Sequence, residues 1–266
     1  MSGKKGLVVE MVDFVGAGPG AEDLITVRGM RLLQEADCII YAGSLVNPEL
    51  LSYAKEDCVV YNSAVMHLGE VLEVMEHMEA EGKHTVRLHT GDPSLYGAIR
   101  EQIDALKKKG LSCRICPGVS SFCGAAAALE AEYTLPSVSQ SVIITRMEGR
   151  TPVPEREKLH SLAQHGSTMV LFLSSGMTER VQAELLRGAY TEKTPCAIVY
   201  KATWQDEKVI RGVVGQLCKL AKENHITKTA LIVVGDVLGD DYELSKLYDK
   251  HFTTEFRQGT DSDQSK

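Results

Sequence analysis

No apolar run in the 266-residue sequence is long enough to span a bilayer, which takes about 20 residues. Its opening, Met-Ser-Gly-Lys-Lys-Gly, has no secretory apolar core. A cytoplasmic protein with no membrane partner is the expectation. Basic charge is short as well. Lys and Arg number 29 against 36 Asp and Glu, for a net charge of −7, which argues against nucleic acid bound through a broad basic surface. An anionic substrate stays open, because cations can cluster locally. The seven cysteines are odd in number and scattered. Cys113-Arg-Ile-Cys116 has no second CxxC to complete a zinc set, and on a strand residues three apart face opposite sides. These read as structural thiols, with no protein-bound metal. Ser120-Ser121 lacks a Gly-x-Ser-x-Gly context, which disfavours serine hydrolysis. No repeat or low-complexity stretch occurs.

What is present is ordinary soluble-globular composition, 44% hydrophobic and 24% charged, at a length that suits two domains. Strand and helix patterns alternate through the first half. Strands are expected at Leu7–Val15, Cys38–Ala42, Cys58–Tyr61, Val86–His89 and Ser112–Cys116. Helices are expected after Thr26 as N-cap, after Asn47-Pro48, from Leu68 to a stop near Gly82, and from Leu95 to Gly110. An Ala-rich helix should run from Ser120 or Ser121 to about Glu132. This alternation predicts a parallel, doubly wound sheet. Tyr133–Ser139 reads as a linker. The second half offers strands at Val142–Thr145, Thr168–Leu173, Cys196–Tyr200, Lys208–Val214 and Leu231–Val234. Helices are expected at Arg156–Gln164, Thr178–Leu186 and around Leu217–Ala221. The domains are therefore drawn as 1–135 and 136–252, with a polar tail, 253–266, expected to be disordered.

Val86-Arg-Leu-His89 alternates like a half-buried strand and ends in Thr90-Gly-Asp-Pro93. Loops leaving the carboxyl ends of parallel strands are where ligands bind; a plain βα turn accounts for the same residues. Gly16-Ala-Gly-Pro-Gly-Ala21 formally matches a dinucleotide fingerprint. Pro19, however, removes an N–H from the phosphate loop, and no acid closes the second strand to take a ribose hydroxyl. His67, Glu70, Glu73 and His77 share one predicted helix, but His67 and His77 stand about 15 Å apart along it, too far for one ion. They read as a solvated face, and Lys107-Lys-Lys109 as a cationic helix end. The loop Arg146–Glu155 carries Arg146, Glu148 and Arg150, stiffened by Pro152 and Pro154. It suits either carboxylate capture or a solvated surface.

Taken together, these loops resemble the tetrapyrrole methylase family over almost the whole chain. Val15-Gly-Ala-Gly-Pro-Gly20 is similar to its first glycine-rich loop, Thr90-Gly-Asp-Pro93 to its second and Pro117-Gly-Val-Ser-Ser121 to its third. Tyr41–Val46, Met66-His-Leu68, Glu148–Glu155, Val199–Trp204 and Ser245–Asp249 resemble the subgroup that methylates carbon 11 of cobalt-precorrin-4 or precorrin-4 in cobalamin biosynthesis.

The resemblance implies an α/β fold of two domains, the N-terminal one a parallel doubly wound sheet and the C-terminal one a mixed sheet. It further implies a homodimer, and S-adenosylmethionine held between the domains. By position its cofactor contacts are Pro19, Thr90, Gly91, Asp92, Leu95, Ser120, Ser121, Leu173 and Ala202. An in-line methyl transfer from a sulfonium needs alignment more than a nucleophile or metal, and alignment can supply up to about 7–11 kcal/mol. No general base is identified. The acetate and propionate arms of the macrocycle call for cations, so His67, Arg146, Arg150 and Lys201, with Glu148 in the same loop, are the expected substrate residues. Asp92 is expected to serve the methyl donor while contributing little to the fold. Competing readings are a methylase acting on uroporphyrinogen, protein or RNA, an NAD-dependent oxidoreductase, and a non-catalytic tetrapyrrole carrier.

Overall fold

The computed structural model describes residues 11–260; the stretch 7–10 of the first expected strand and the tail residues 261–266 lie outside it. The chain divides into two compact units. The first comprises residues up to Ala128 together with Lys201–Lys208, and the second Leu129–Tyr200 and the chain from Val209 onward. Among the described residues no helix is long and apolar enough to cross a membrane.

The first unit holds β1 (Met11–Gly16), β2 (Cys38–Tyr41), β3 (Val59–Asn62), β4 (Thr85–His89) and β5 (Ser112–Cys116). They form one sheet in the order β3-β2-β4-β1-β5 with every pairing parallel. Its helices are α1 (Val27–Glu35), α2 (Leu68–Ala80), α3 (Ile99–Lys108) and α4 (Ser121–Ala128). Thr26 caps α1 as expected, its side chain accepting from Gly29 N at 3.1 Å. Val15, Ile39, Val86 and Leu88 bury one face of the sheet with Leu32 and Leu33 of α1. Val12, Phe14 and Ile40 bury the other with Met75 of α2 and Leu106 of α3. Cys113 and Cys116 fall on opposite faces, against different clusters.

Four local expectations change. β4 is buried throughout rather than on one face, because a central strand of a parallel sheet is covered on both sides. Helix α3 starts at Ile99, not Leu95, since Tyr96 and Ala98 take left-handed backbone. Helix α4 stops at Ala128, with Glu130 left-handed soon after. The helix expected at Arg156–Gln164 splits into a 3-10 turn, Glu155–Glu157, and α5 (Leu159–Ala163), with Lys158 extended between them.

The second unit adds β6 (Val142–Arg146), β7 (Thr168–Phe172), α6 (Thr178–Leu186), β8 (Pro195–Tyr200), β9 (Lys208–Val213), α7 (Leu217–Glu223) and β10 (Ala230–Val234). Its sheet runs β6-β7-β10-β8-β9. β6 is parallel to β7, and β10 is antiparallel to both β7 and β8, so the sheet is mixed. Met169, Leu171, Ile198 and Ile232 form its core with Leu185 and Leu217. Within the tail, Arg257 Nη2 donates to the carbonyls of Leu247 and Asp249, at 2.9 and 2.6 Å.

A polar cluster ties the first sheet together on its α1 side. Asp13 of β1, 1% exposed, accepts two bonds from Arg114 of β5, at 2.6 and 2.8 Å, and one from His84 Nε2 at 2.8 Å. His84 N in turn donates to Asp37, which also holds Lys55. Burial would raise the Asp13 carboxyl, but the bonds from His84 and Arg114 outweigh it and hold it below its ordinary 3.8. The Asp13 bond raises His84 above its ordinary 6.5. The Asp13 contribution is therefore present above pH 3.8 and lost as pH falls through its lowered value. The His84 contribution is full below pH 6.5 and fades as pH rises through its raised value. Asp13→Ala should cost about 2–3 kcal/mol in urea unfolding, below a fully buried pair because Arg114 is half-exposed. The deficit should be largest between these two values and shrink on either side. A deficit independent of pH would remove the ionic account.

Candidate active site

At the carboxyl ends of β4, β1 and β5 the three glycine-rich loops meet backbone to backbone. Gly18 N donates to Gly91 O at 3.3 Å and Gly91 N to Gly18 O at 2.8 Å, while Ala17 N reaches His89 O at 2.7 Å. Gly118 sits so close that a Cβ on it would collide with Gly91 O and with the backbone of Gly16. Next to this contact, Ser121 N opens α4 beside Gly91, and the Pro19 ring lies against Gly124 of the same helix.

Side chains complete the staples. Asp92 Oδ1 accepts from Ser94 N at 2.8 Å and Ser94 Oγ at 2.5 Å, and its Oδ2 accepts from Gly118 N at 2.8 Å. Partial burial would raise this carboxyl, but the Ser94 and Gly118 donors bring it below its ordinary value. Both oxygens are thus engaged within the protein. Thr90 Oγ1 donates to Leu45 O at 2.6 Å, holding the turn Gly43–Leu45. Asn47 caps the 3-10 helix Pro48–Tyr53 through Oδ1, and its Nδ2 donates to Gly20 O at 2.9 Å.

Beneath the second loop, Arg87 is buried and donates to Gln102 Oε1 at 3.2 Å and Ile40 O at 3.0 Å. Gln102 passes the restraint on to Ala98 O, where the loop enters α3. Desolvation lowers Arg87 to about 10. Desolvation, then the nearby Arg87 charge, lowers His89 to about 3. A buried imidazole this weakly basic is neutral near pH 7 and cannot serve as a cation for carboxylates.

Residues 201–208 also close on the first loop. Ala21 N donates to Thr203 Oγ1 at 3.0 Å, and Trp204 Nε1 to Pro19 O at 3.3 Å. Lys201 and Thr203 both have left-handed backbone, φ +47° and +69°. A β-branched residue there is strained by about 1–3 kcal/mol, and such strain persists only where the surroundings over-determine it. Lys201 pairs with Asp206 at 2.6 Å and lies 5.2 Å from the centre of the Trp204 ring.

In the second unit, the loop after β6 is rooted where Met147 N donates to Ser174 Oγ at 2.8 Å. That places it beside Leu173, which is exposed, at φ +52°, at the end of β7. Arg146 turns back on its own loop and donates to Thr151 O at 3.2 Å and Pro152 O at 2.8 Å. Arg150 stands exposed at the tip, and Glu148 is half-buried.

The structure therefore gathers Pro19, Thr90, Gly91, Asp92, Ser120, Ser121 and Ala202 in the first unit, with Leu95 in the turn that follows Asp92. Leu173 joins Arg146, Glu148 and Arg150 in the second. His67 is instead the N-cap of α2, its Nδ1 accepting from Glu70 N while Glu70 returns a bond to His67 N. Sequence reasoning missed Asn47's hold on Gly20 and the contacts of Thr203 and Trp204 with the first loop. The short-range signal for Asn47 was a helix cap, and nothing local joins it to a loop 27 residues away.

Chemically, the edge is poorly suited to pyrophosphate. An anion-binding nest needs free N–H groups. Here the Ala17, Gly18 and Ala21 amides are spent inside the protein, Pro19 has none, and Glu22 and Asp23 follow at once. A close-packed backbone edge with its one central carboxylate already satisfied fits a donor that is not an anion.

The comparisons agree with this geometry. The family model of tetrapyrrole (corrin/porphyrin) methylases matches residues 11–218. The chain belongs to the tetrapyrrole methylases. A cobalt-precorrin-4 C(11)-methyltransferase of Methanocaldococcus jannaschii is 55% identical over 248 residues, 93% of this chain and 96% of that protein. One from Priestia megaterium is 50% identical over 254 residues, 94% and 98% of the two chains. The X-ray structure of a cobalt precorrin-4 methyltransferase, CbiF, superposes with a TM-score of 0.87 at 48% identity, covering 90% of this chain and all of that one.

Because Asp92 bridges two loops, Asp92→Ala in this methylase should lower stability by about 1.5–3 kcal/mol, the range for hydrogen bonds to a charged group. This replaces the expectation that its removal leaves the fold nearly intact. Urea midpoints compared at neutral pH check it, and an unchanged midpoint would return Asp92 to a purely ligand-facing role.

Proposed function

We propose that this chain transfers the methyl group of S-adenosylmethionine to carbon 11 of cobalt-precorrin-4 in cobalamin biosynthesis. The observation that carries the reading is the stapled glycine edge, in which the Ala17, Gly18, Ala21, Gly91 and Gly118 amides are bonded inside the protein and Pro19 has none. It disfavours a nicotinamide dinucleotide, and relatives 50–55% identical over more than nine-tenths of the chain support the acceptor. When bound, S-adenosylmethionine supplies the methyl group on a sulfonium that becomes neutral as the group leaves.

Pro19, Thr90, Gly91, Asp92, Leu95, Ser120, Ser121, Leu173 and Ala202 are the residues assigned to that donor in this reading. They serve it mainly as a pre-set backbone surface, because Thr90 and Asp92 spend their side chains on Leu45, Ser94 and Gly118. Rigidity of this kind favours the alignment an in-line transfer needs. For the anionic acceptor the second unit offers Arg150 as the direct contact. Arg146 shapes the loop through Thr151 and Pro152, so its effect is on geometry more than on charge pairing. Lys201, which pairs with Asp206, is the second cation assigned to the acceptor, and His67 is assigned to capping α2.

Incubation with S-adenosylmethionine and either cobalt-precorrin-4 or precorrin-4, followed by mass spectrometry, tests the assignment. A gain of one methyl on the cobalt substrate, at carbon 11 by NMR, is the expected outcome. No gain on either would overturn the reading, and a gain confined to precorrin-4 would change the acceptor. Arg150→Ala should raise the tetrapyrrole KM about tenfold, the effect of one lost charge-assisted pair of about 1.4 kcal/mol, while leaving the KM for the methyl donor within twofold. The reading includes a homodimer, which light scattering would report as twice the 29.1 kDa chain mass.

A further inference from the structure

The segment between β8 and β9 packs with the first unit and carries a concentration of local strain that the loop roles above leave unused. Thr203 is β-branched and left-handed, Lys201 is left-handed two residues earlier, and the Lys201 carbonyl accepts from Trp204 N at 3.0 Å to close the turn. Three further side-chain contacts hold this conformation. Glu207 Oε2 accepts from Thr203 N at 2.6 Å, Asp206 pairs with Lys201, and Thr203 Oγ1 accepts from Ala21 N. The indole of Trp204 covers Gly20 so closely that a Cβ there would collide with Cδ1, and it donates to Pro19 O. Pro19 and Ala21, the two neighbours of Gly20, are thus gripped by consecutive residues of one strained turn. From its other side, Gly20 O is held by Asn47.

We propose that residues 201–208 act as a clasp that sets the first glycine loop, with Thr203 and Trp204 as positioning residues for the methyl donor. The proposal rests on the methyltransferase reading. It assigns donor affinity to two side chains that act through Pro19–Ala21. The strain of the turn is offset by the bonds it makes to the loop, so losing the Thr203 acceptor leaves the Ala21 amide unpartnered and frees the loop.

The two ideas separate in one experiment. S-adenosylhomocysteine is titrated by calorimetry into the purified full chain and into Thr203→Val, Thr203→Ser and Trp204→Phe variants. Unfolding midpoints of each unliganded protein are measured in parallel. Thr203→Val matches the shape but cannot accept from Ala21 N, so its Kd should rise about tenfold. Thr203→Ser restores the acceptor and should stay within threefold of the original chain. Trp204→Phe keeps an aromatic ring but loses the bond to Pro19 O and part of the cover over Gly20, so an intermediate rise of about threefold to fivefold is expected. As Trp204 is the one tryptophan in the sequence, its emission should also shift when the ligand binds the original chain. Equal Kd values for Thr203→Val and the original chain would overturn the clasp. So would a Thr203→Ser loss as large as that of Thr203→Val, which would mark a general structural defect. If the original chain fails to bind S-adenosylhomocysteine, the methyl-donor reading falls first and the clasp proposal with it.

Discussion

The first unit depends on one close approach: the backbones of Gly16, Gly91 and Gly118 meeting at the carboxyl ends of three neighbouring strands. Parallel strands β4, β1 and β5 bring these loops side by side, but strand pairing stops before the loops begin. Beyond that point the reciprocal bonds between Gly18 and Gly91 and the Asp92–Gly118 bond take over. Only residues without Cβ let the chains come this near. Everything placed around the edge, including α4, the 43–45 turn and Trp204, is registered on that contact.

The two ends of the same sheet divide the work. Away from the loops, Asp13, His84, Arg114, Asp37 and Lys55 form a network of paired charges that joins β1, β5 and the chain entering β2 and β4. At the loop end the charge is almost all spent on backbone, with Asp92 as the clearest case. The buried Arg87 follows the same logic, facing carbonyl and amide oxygens in place of a carboxylate. An edge made this way offers a fixed shape. Arg150, by contrast, stands exposed in the second unit, where solvent lowers the cost of holding a cation.

Legibility varied with the range of the interaction. Apolar, β-rich runs between turn-formers located nine of the described strands to within a residue, and the end of the first likewise, its expected start lying outside the described residues. Alternation misjudged β4, where Arg87 and His89 looked solvent-facing and are buried. Period two reports a change of face, and a central strand of a parallel sheet has two buried faces. The start of α3 was also misplaced, since Leu95 fits a helical spacing while Tyr96 and Ala98 are left-handed, with Ala98 O held by Gln102.

Strand–helix alternation was enough, from the sequence alone, to determine an α/β chain and the parallel character of the first sheet, and the resemblance of its loops and of stretches such as Glu148–Glu155 pointed to the family. Those features are written in local pattern and in residues that no other side chain can replace. The employment of each polar side chain was decided by tertiary structure. Asp92 and Thr90 became staples, His67 a helix cap and Arg146 the brace of its own loop. Thr203 and Trp204 came to rest on Pro19–Ala21 from more than 180 residues away. The physical reason is that a donor or acceptor is satisfied by whatever the fold brings within about 3 Å, and that neighbour is set by packing, not by sequence distance.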